Sequence, residues 1–212
     1  MDDFLIQAQP YLTFVKDIVT VISLAVAALV AIKGLQTWRR QLKGTTDYDL
    51  AKRLLKAAYR LRDALQAVRS PFMSSGEVQY AIKEVQLEVK PSDEDFNAAS
   101  TAAAYQLRWR PVIEAYQSLE LEAFEAEALW AASAKDVIIP IRRTVNSLSV
   151  AIDLVLRDRQ AGGTRMLDSA SREKFERILY SMALTPEDDP YLKELTAAVA
   201  QIETLARPFL AR

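Results

Sequence analysis

The chain has 212 residues, half of them hydrophobic, with 27 basic and 28 acidic side chains and a net charge of −1. A near-neutral chain offers nucleic acid no general attractive field. The sequence holds no histidine and no cysteine, which excludes disulfides, thiol nucleophiles, Ser-His-Asp triads, zinc-hydrolase motifs and Glu-x-x-His di-iron sites. The five glycines, Gly34, Gly44, Gly76, Gly162 and Gly163, form no phosphate-binding fingerprint. No cofactor is expected. Few glycines and prolines and 26% charged residues describe a folded, helix-rich chain and not a disordered one.

The first predicted element is an anchor. Residues 18–32 carry no charge, and Lys33, Trp38, Arg39, Arg40 and Lys43 follow at once. That order reads as a transmembrane helix with its basic flank at the cytoplasmic headgroups. The uncharged core is short for a span. Tyr11, Leu12, Thr13, Phe14 and Val15 extend it, and Lys16 and Lys33 can snorkel. Residues 11–35 would make about 37 Å of helix at about 1.5 Å per residue, enough to cross. Tyr11, Phe14 and Trp38 sit where interfacial aromatics belong. The competing readings are a buried soluble helix and an in-plane helix, though residues 18–32 have no polar face for the latter. A cleaved signal peptide fits less well, because the N-terminus is acidic and the apolar run continues past Ala25-Val26-Ala27. Within the anchor, Ser23, Ala27 and Ala31 recur at the spacing that lets membrane helices approach closely.

Basic residues set orientation. Residues 33–69 carry ten basic side chains against three acidic ones, a net of +7, whereas residues 1–17 carry only Lys16. The expectation is a single-pass inner-membrane protein with a short extracytoplasmic N-terminus at 1–10, an anchor at 11–43 and a cytoplasmic domain at 45–212. Residues 77–128 are net −7. Either the basic segment meets an anionic leaflet or the two segments pair within one domain, and the two are compatible. Arg39, Arg40, Lys43, Lys52, Arg53 and Lys56 point first to lipid headgroups, then to plain solvation, and least to nucleic acid.

After the anchor the pattern is helical. Gly44 is expected to end the anchor helix, and Thr46 with Asp47 and Asp49 to start the next. Leu54, Ala58, Leu61, Leu65 and Val68 then form an apolar stripe that stops at Ser70-Pro71. Residues 72–91 are ambiguous. Val78, Tyr80 and Ile82 alternate like a strand, but nothing pairs with them, so a helix is preferred. Ser92 with Asp95 starts a long helix in which Pro111 either makes a kink or opens a new segment. Ser133 with Asp136 starts another, with Pro140 in its second turn, running to the Gly162-Gly163 turn. A helix is expected over 171–182. Thr185-Pro186 and Asp189-Pro190 both look like helix starts, and the last helix uses Leu192, Leu195, Val199, Ile202 and Leu205. The predicted fold is all-α: an N-terminal transmembrane helix and an antiparallel bundle of about five main helices.

The stretch GLQTWRRQLKG at 34–44, with LRW at 107–109 and EAEALW at 125–130, resembles uncharacterised bacterial membrane-anchored α-helical proteins. The resemblance implies a layout and no activity.

One constellation could carry chemistry. Glu122 and Glu125 share a helix face within Glu120, Glu122, Glu125 and Glu127. Such pairs hold magnesium in all-α enzymes, and Glu173 with Glu176 could face them. The bland alternative is a solvated or salt-bridged face. Trp109 and Trp130, beside Arg108 and Arg110, read as inter-helix packing before partner binding. The resulting expectation is a non-enzymatic interaction protein at the membrane, either self-assembling or recruiting an unknown protein partner, with a membrane-acting effector as one form. A magnesium enzyme using Glu122 and Glu125 is the alternative.

Overall fold

The computed structural model describes residues 2–88, 96–130, 134–160, 166–181 and 188–211. Among them are six helices and no strand: α1 Asp2–Val68, α2 Ser75–Glu84, α3 Phe96–Trp130, α4 Ala134–Gln160, α5 Ser169–Leu179 and α6 Pro190–Leu210. The chain divides into two compact units, Met1–Asp47 and Tyr48–Arg212.

The helix starts follow local chemistry. Ser74 caps α2 by accepting the Glu77 amide at 3.1 Å, so within the ambiguous residues 72–91 the stretch Ser75–Glu84 is helical, while residues 89–91 lie outside the described residues. Asp168 caps α5 through the Ser171 amide at 2.6 Å. That places the start of α5 at Ser169, two residues before the expected one, and the helix ends at Leu179. Asp189 caps α6 with Pro190 in its first turn, the arrangement that a missing amide and a fixed φ favour. Pro111 lies inside a continuous α3, and Pro140 inside α4. The expected starts at Ser92 and Ser133, the Gly162-Gly163 turn, Met182 and Thr185-Pro186 lie outside the described residues.

Gly44 does not end the first helix, and Thr46 does not start a second. α1 continues through both. Glycine inside a helix costs about 1 kcal/mol relative to alanine, which lowers stability without forbidding the conformation. The threonines are used differently from caps. Thr45 and Thr46 donate their hydroxyls back to the Gln41 and Leu42 carbonyls at 3.1 and 3.0 Å, the bond a threonine makes inside a helix.

In the second unit the stripe read from the sequence is the core. Leu54, Ala58, Leu61, Leu65 and Val68 are buried. They join Val112 and Leu119 of α3, Ile141 and Leu148 of α4, Leu179 of α5, and Leu195 and Ile202 of α6 in one cluster. Trp109 and Trp130 pack against it, and the Trp130 ring stacks on Phe209 at 4.0 Å. Asp158 near the end of α4 accepts the Met166 and Leu167 amides at 2.8 and 2.9 Å and the Arg172 Nε at 2.9 Å, tying α4 to the start of α5. Leu61→Ala should therefore cost about 2–5 kcal/mol, the range for emptying a packed leucine site. Phe72→Ala, at an 85% exposed position, should stay within about 0.5 kcal/mol of wild type. Urea unfolding followed by tryptophan fluorescence measures both.

Candidate functional site

The feature that stands out first is exposed apolar helix. Residues 18–32 of α1 are fully helical and none of them is buried. Ile18, Val21, Leu24, Leu29 and Val30 are each at least 43% exposed. By length and composition this helix can cross a membrane. Its two hydroxyls are already satisfied: Thr20 donates to the Lys16 carbonyl at 2.8 Å and Ser23 to the Val19 carbonyl at 2.7 Å. That removes the largest polar cost of placing them in hydrocarbon. Ser23, Ala27 and Ala31 are exposed along the segment, as are Lys33, Trp38, Arg39, Arg40 and Lys43 after it. The side chains of Tyr11 and Phe14 lie outside the described residues.

The basic residues further along divide. Lys52, Lys56 and Arg60 are exposed on α1. Arg53 is taken by the acidic cluster. Its Nε donates to Glu122 Oε2 at 2.9 Å and its Nη2 to Glu125 Oε2 at 2.5 Å. The guanidinium occupies the space between the two carboxylates that a magnesium ion would need. Glu120 accepts Arg142 at 2.8 Å, and Glu173 and Glu176 lie beside Arg177 and Arg159. Among the described residues no group of three acidic side chains is placed to hold a metal ion. Glu120, Glu122, Glu125 and Glu176 thus meet arginines of other helices, whereas Glu173 pairs within α5.

Arg69 is the residue that sequence reasoning missed. It enters the sequence reading only as one of the ten basic residues of 33–69, yet its side chain is fully buried. Each of its three guanidinium nitrogens donates a hydrogen bond. Nη1 and Nη2 grip Asp189 at 2.8 and 3.2 Å. Nε donates to the Ile178 carbonyl at 2.7 Å, and Nη2 also reaches the Arg177 and Tyr180 carbonyls at 3.1 and 3.4 Å. Those carbonyls are the unsatisfied end of α5, where the helix dipole favours a cation. Asp189 in turn caps α6 through the Leu192 amide at 3.1 Å, and the Arg69 guanidinium lies 4.4 Å over the Tyr191 ring. Burial pushes the Tyr191 hydroxyl above its ordinary range. The available signal was phase: position 69 lies four residues after Leu65, on the buried stripe.

Arg108 makes a smaller version of the same joint. It holds Glu77, the first-turn acid of α2, with Nη2 to Oε2 at 2.9 Å, and donates to the Ser70 carbonyl at 2.8 Å. No family model, no curated protein and no solved structure matches the chain. The surface grooves add no chemistry. One of about 490 Å³ between Ser147, Lys174, Ile178 and Tyr191 is open, and no buried side-chain nitrogen or oxygen among the described residues lacks a partner.

Two outcomes follow. Arg69→Met leaves Asp189 buried beside no cation and should cost about 3–5 kcal/mol. Arg69→Lys should recover little, since one ammonium cannot replace a planar five-donor fork. Chemical denaturation of both variants reads this. The second concerns pH. The Arg108 guanidinium beside Glu77 holds its carboxyl below the usual carboxylate range. A depressed folded value means the contribution is present above the unfolded value and is lost as pH falls through the folded one. Glu77→Gln should cost roughly 1 kcal/mol at pH 7. The gap to wild type should close only as the pH falls through the lowered Glu77 value, below the usual carboxylate range, where its carboxyl is neutral as well.

Proposed function

We propose that this chain is a single-pass, membrane-anchored helical interaction protein without catalytic machinery. Residues 18–32 supply the anchor and the second unit the interaction domain. The observation that carries the reading is the exposed, uncharged helix ending in a basic and aromatic flank. Residues 18–32 hold nine Ile, Leu and Val side chains. At about −0.3 to −0.6 kcal/mol each on insertion, these favour the bilayer by about 3–5 kcal/mol. The basic flank supports an inner-membrane location with residues 45–212 cytoplasmic, and Lys33, Arg39, Arg40 and Lys43 at anionic headgroups. The partners are membrane lipids and either further copies or another protein, with no nucleic acid.

Residues 48–212 read as an antiparallel helical bundle. Arg53 meets Glu122 and Glu125 while Arg108 meets Ser70 and Phe72, which supports opposed directions for α1 and α3. The arginine held between Glu122 and Glu125 speaks for an interaction role over metal chemistry.

Full-length protein should float with liposomes and resist carbonate extraction. Replacing Leu24 and Leu29 together by Lys should release it, because each lysine at the helix centre costs about 2.5–3.5 kcal/mol. A periplasm-dependent reporter fused after Arg212 should stay silent. A soluble full-length protein without detergent would end the membrane reading, and an active reporter would invert the topology.

A further inference from the structure

The outward side of α3 is apolar as well as its inward side. Ile113, Leu121 and Phe124 are 45%, 68% and 56% exposed. At about 100° per residue, Arg110, Ile113, Gln117, Leu121, Phe124 and Ala128 fall within one arc of about 80°. Val112, Leu119 and Ala123, which face the core, are buried and lie on the opposite side of the helix. Scattered exposed apolar residues need no explanation, whereas a continuous stripe does.

We infer that this stripe is the contact surface for a second copy of the chain, with the two α3 helices packed antiparallel about a two-fold axis level with residues 118–119. The register is self-complementary. It sets Ile113 against Phe124 of the second copy and Gln117 against Leu121, and brings Arg110 level with Glu127, which stands about 40° outside that arc, each pairing made twice as an isologous interface requires. The charges choose the direction. A parallel pairing would bring Arg110 beside Arg110 and Glu127 beside Glu127, which is repulsive. Both charged side chains are exposed, and the present tie of Arg110, to Glu84 at 3.2 Å, is a half-exposed surface pair that exchanges readily. Glu120 stands at the edge of the stripe and is already held by Arg142.

Three large apolar residues per copy make a small interface, of the weak and reversible class. Anchoring offsets that weakness by raising the effective concentration of the partners. The inference deepens the interaction reading above and rests on it for the role, but its geometry does not depend on the membrane.

The experiment is sedimentation velocity of full-length protein in mild detergent over about 1–100 µM, the range expected for an interface of this size. Wild type should dimerise. Arg110→Glu and Glu127→Arg should each weaken the dimer about tenfold, and the double variant should return to within about threefold of wild type. Phe124→Ser should weaken it with unchanged thermal unfolding, since that side chain is outside the core. A monomeric wild type overturns the inference. So do single charge reversals without effect, a double variant without recovery, or loss of the dimer only in Ala27→Leu, which would put the contact in the anchor. Liposome flotation of the same samples separates the two readings. Protein that does not float but shows charge-swap recovery ends the membrane reading and leaves this interface standing.

Discussion

The second unit is organised around one buried cation. Arg69 sits one residue past the end of α1, and its guanidinium collects the carbonyl end of α5 and the capping aspartate of α6. A buried guanidinium is tolerable only when its nitrogens find acceptors and an opposite charge compensates it. Both conditions are met, and both constrain the surroundings. The acceptors must be the Arg177, Ile178 and Tyr180 carbonyls, so α5 has to end there. The counter-charge must be Asp189, so α6 has to begin there. The Ser181 amide closes the arrangement by donating to the Arg69 carbonyl at 3.0 Å. Three helix ends are thereby assigned to one another by polar geometry, which leucine packing alone would leave free to slide.

Polar joints of the same kind recur wherever helices meet outside the leucine core. Arg108 bridges α3 to the start of α2 and to the Ser70 and Phe72 carbonyls. Arg53 bridges α1 to α3, Arg142 bridges α4 to α3, and Arg172 fastens α5 to Asp158. The segregation of charge along the sequence is partly resolved by this pairing, since Arg53 comes from the basic segment and its glutamates from the acidic one. Arginine suits such joints because its planar fork binds two acceptors at once. Three glutamates of the acidic cluster, Glu120, Glu122 and Glu125, are held by arginines in this way.

The exposed apolar surface lies elsewhere. In the first unit it is the whole circumference of residues 18–32, where no side has been kept polar. In the second it includes Ile113, Leu121 and Phe124 on α3, with Phe72, Val150 and Met166 exposed elsewhere. The two differ in physical demand. A helix apolar all round asks for a hydrocarbon solvent. The stripe on α3 includes Arg110, so it carries a charge that residues 18–32 lack.

Fold class, the apolar segment with its basic flank, and the buried stripe from Leu54 to Val68 were legible in the amino-acid sequence, because each depends on order and period along a single helix. Local caps were legible where the chain breaks visibly, as at Asp189-Pro190. The continuity of α1 through Gly44 was not, since a glycine marks a helix end only when the residues after it have a better conformation, and Thr45 and Thr46 find their hydrogen bonds inside the helix. The role of Arg69 was beyond local reading too, because its acceptors lie more than 100 residues away. The same holds for Glu122 and Glu125: spacing put them on one face, and only the approach of α1 placed Arg53 against it. Periodicity reports which side of a helix is buried, whereas the partner of a buried charge is a property of the assembled helices.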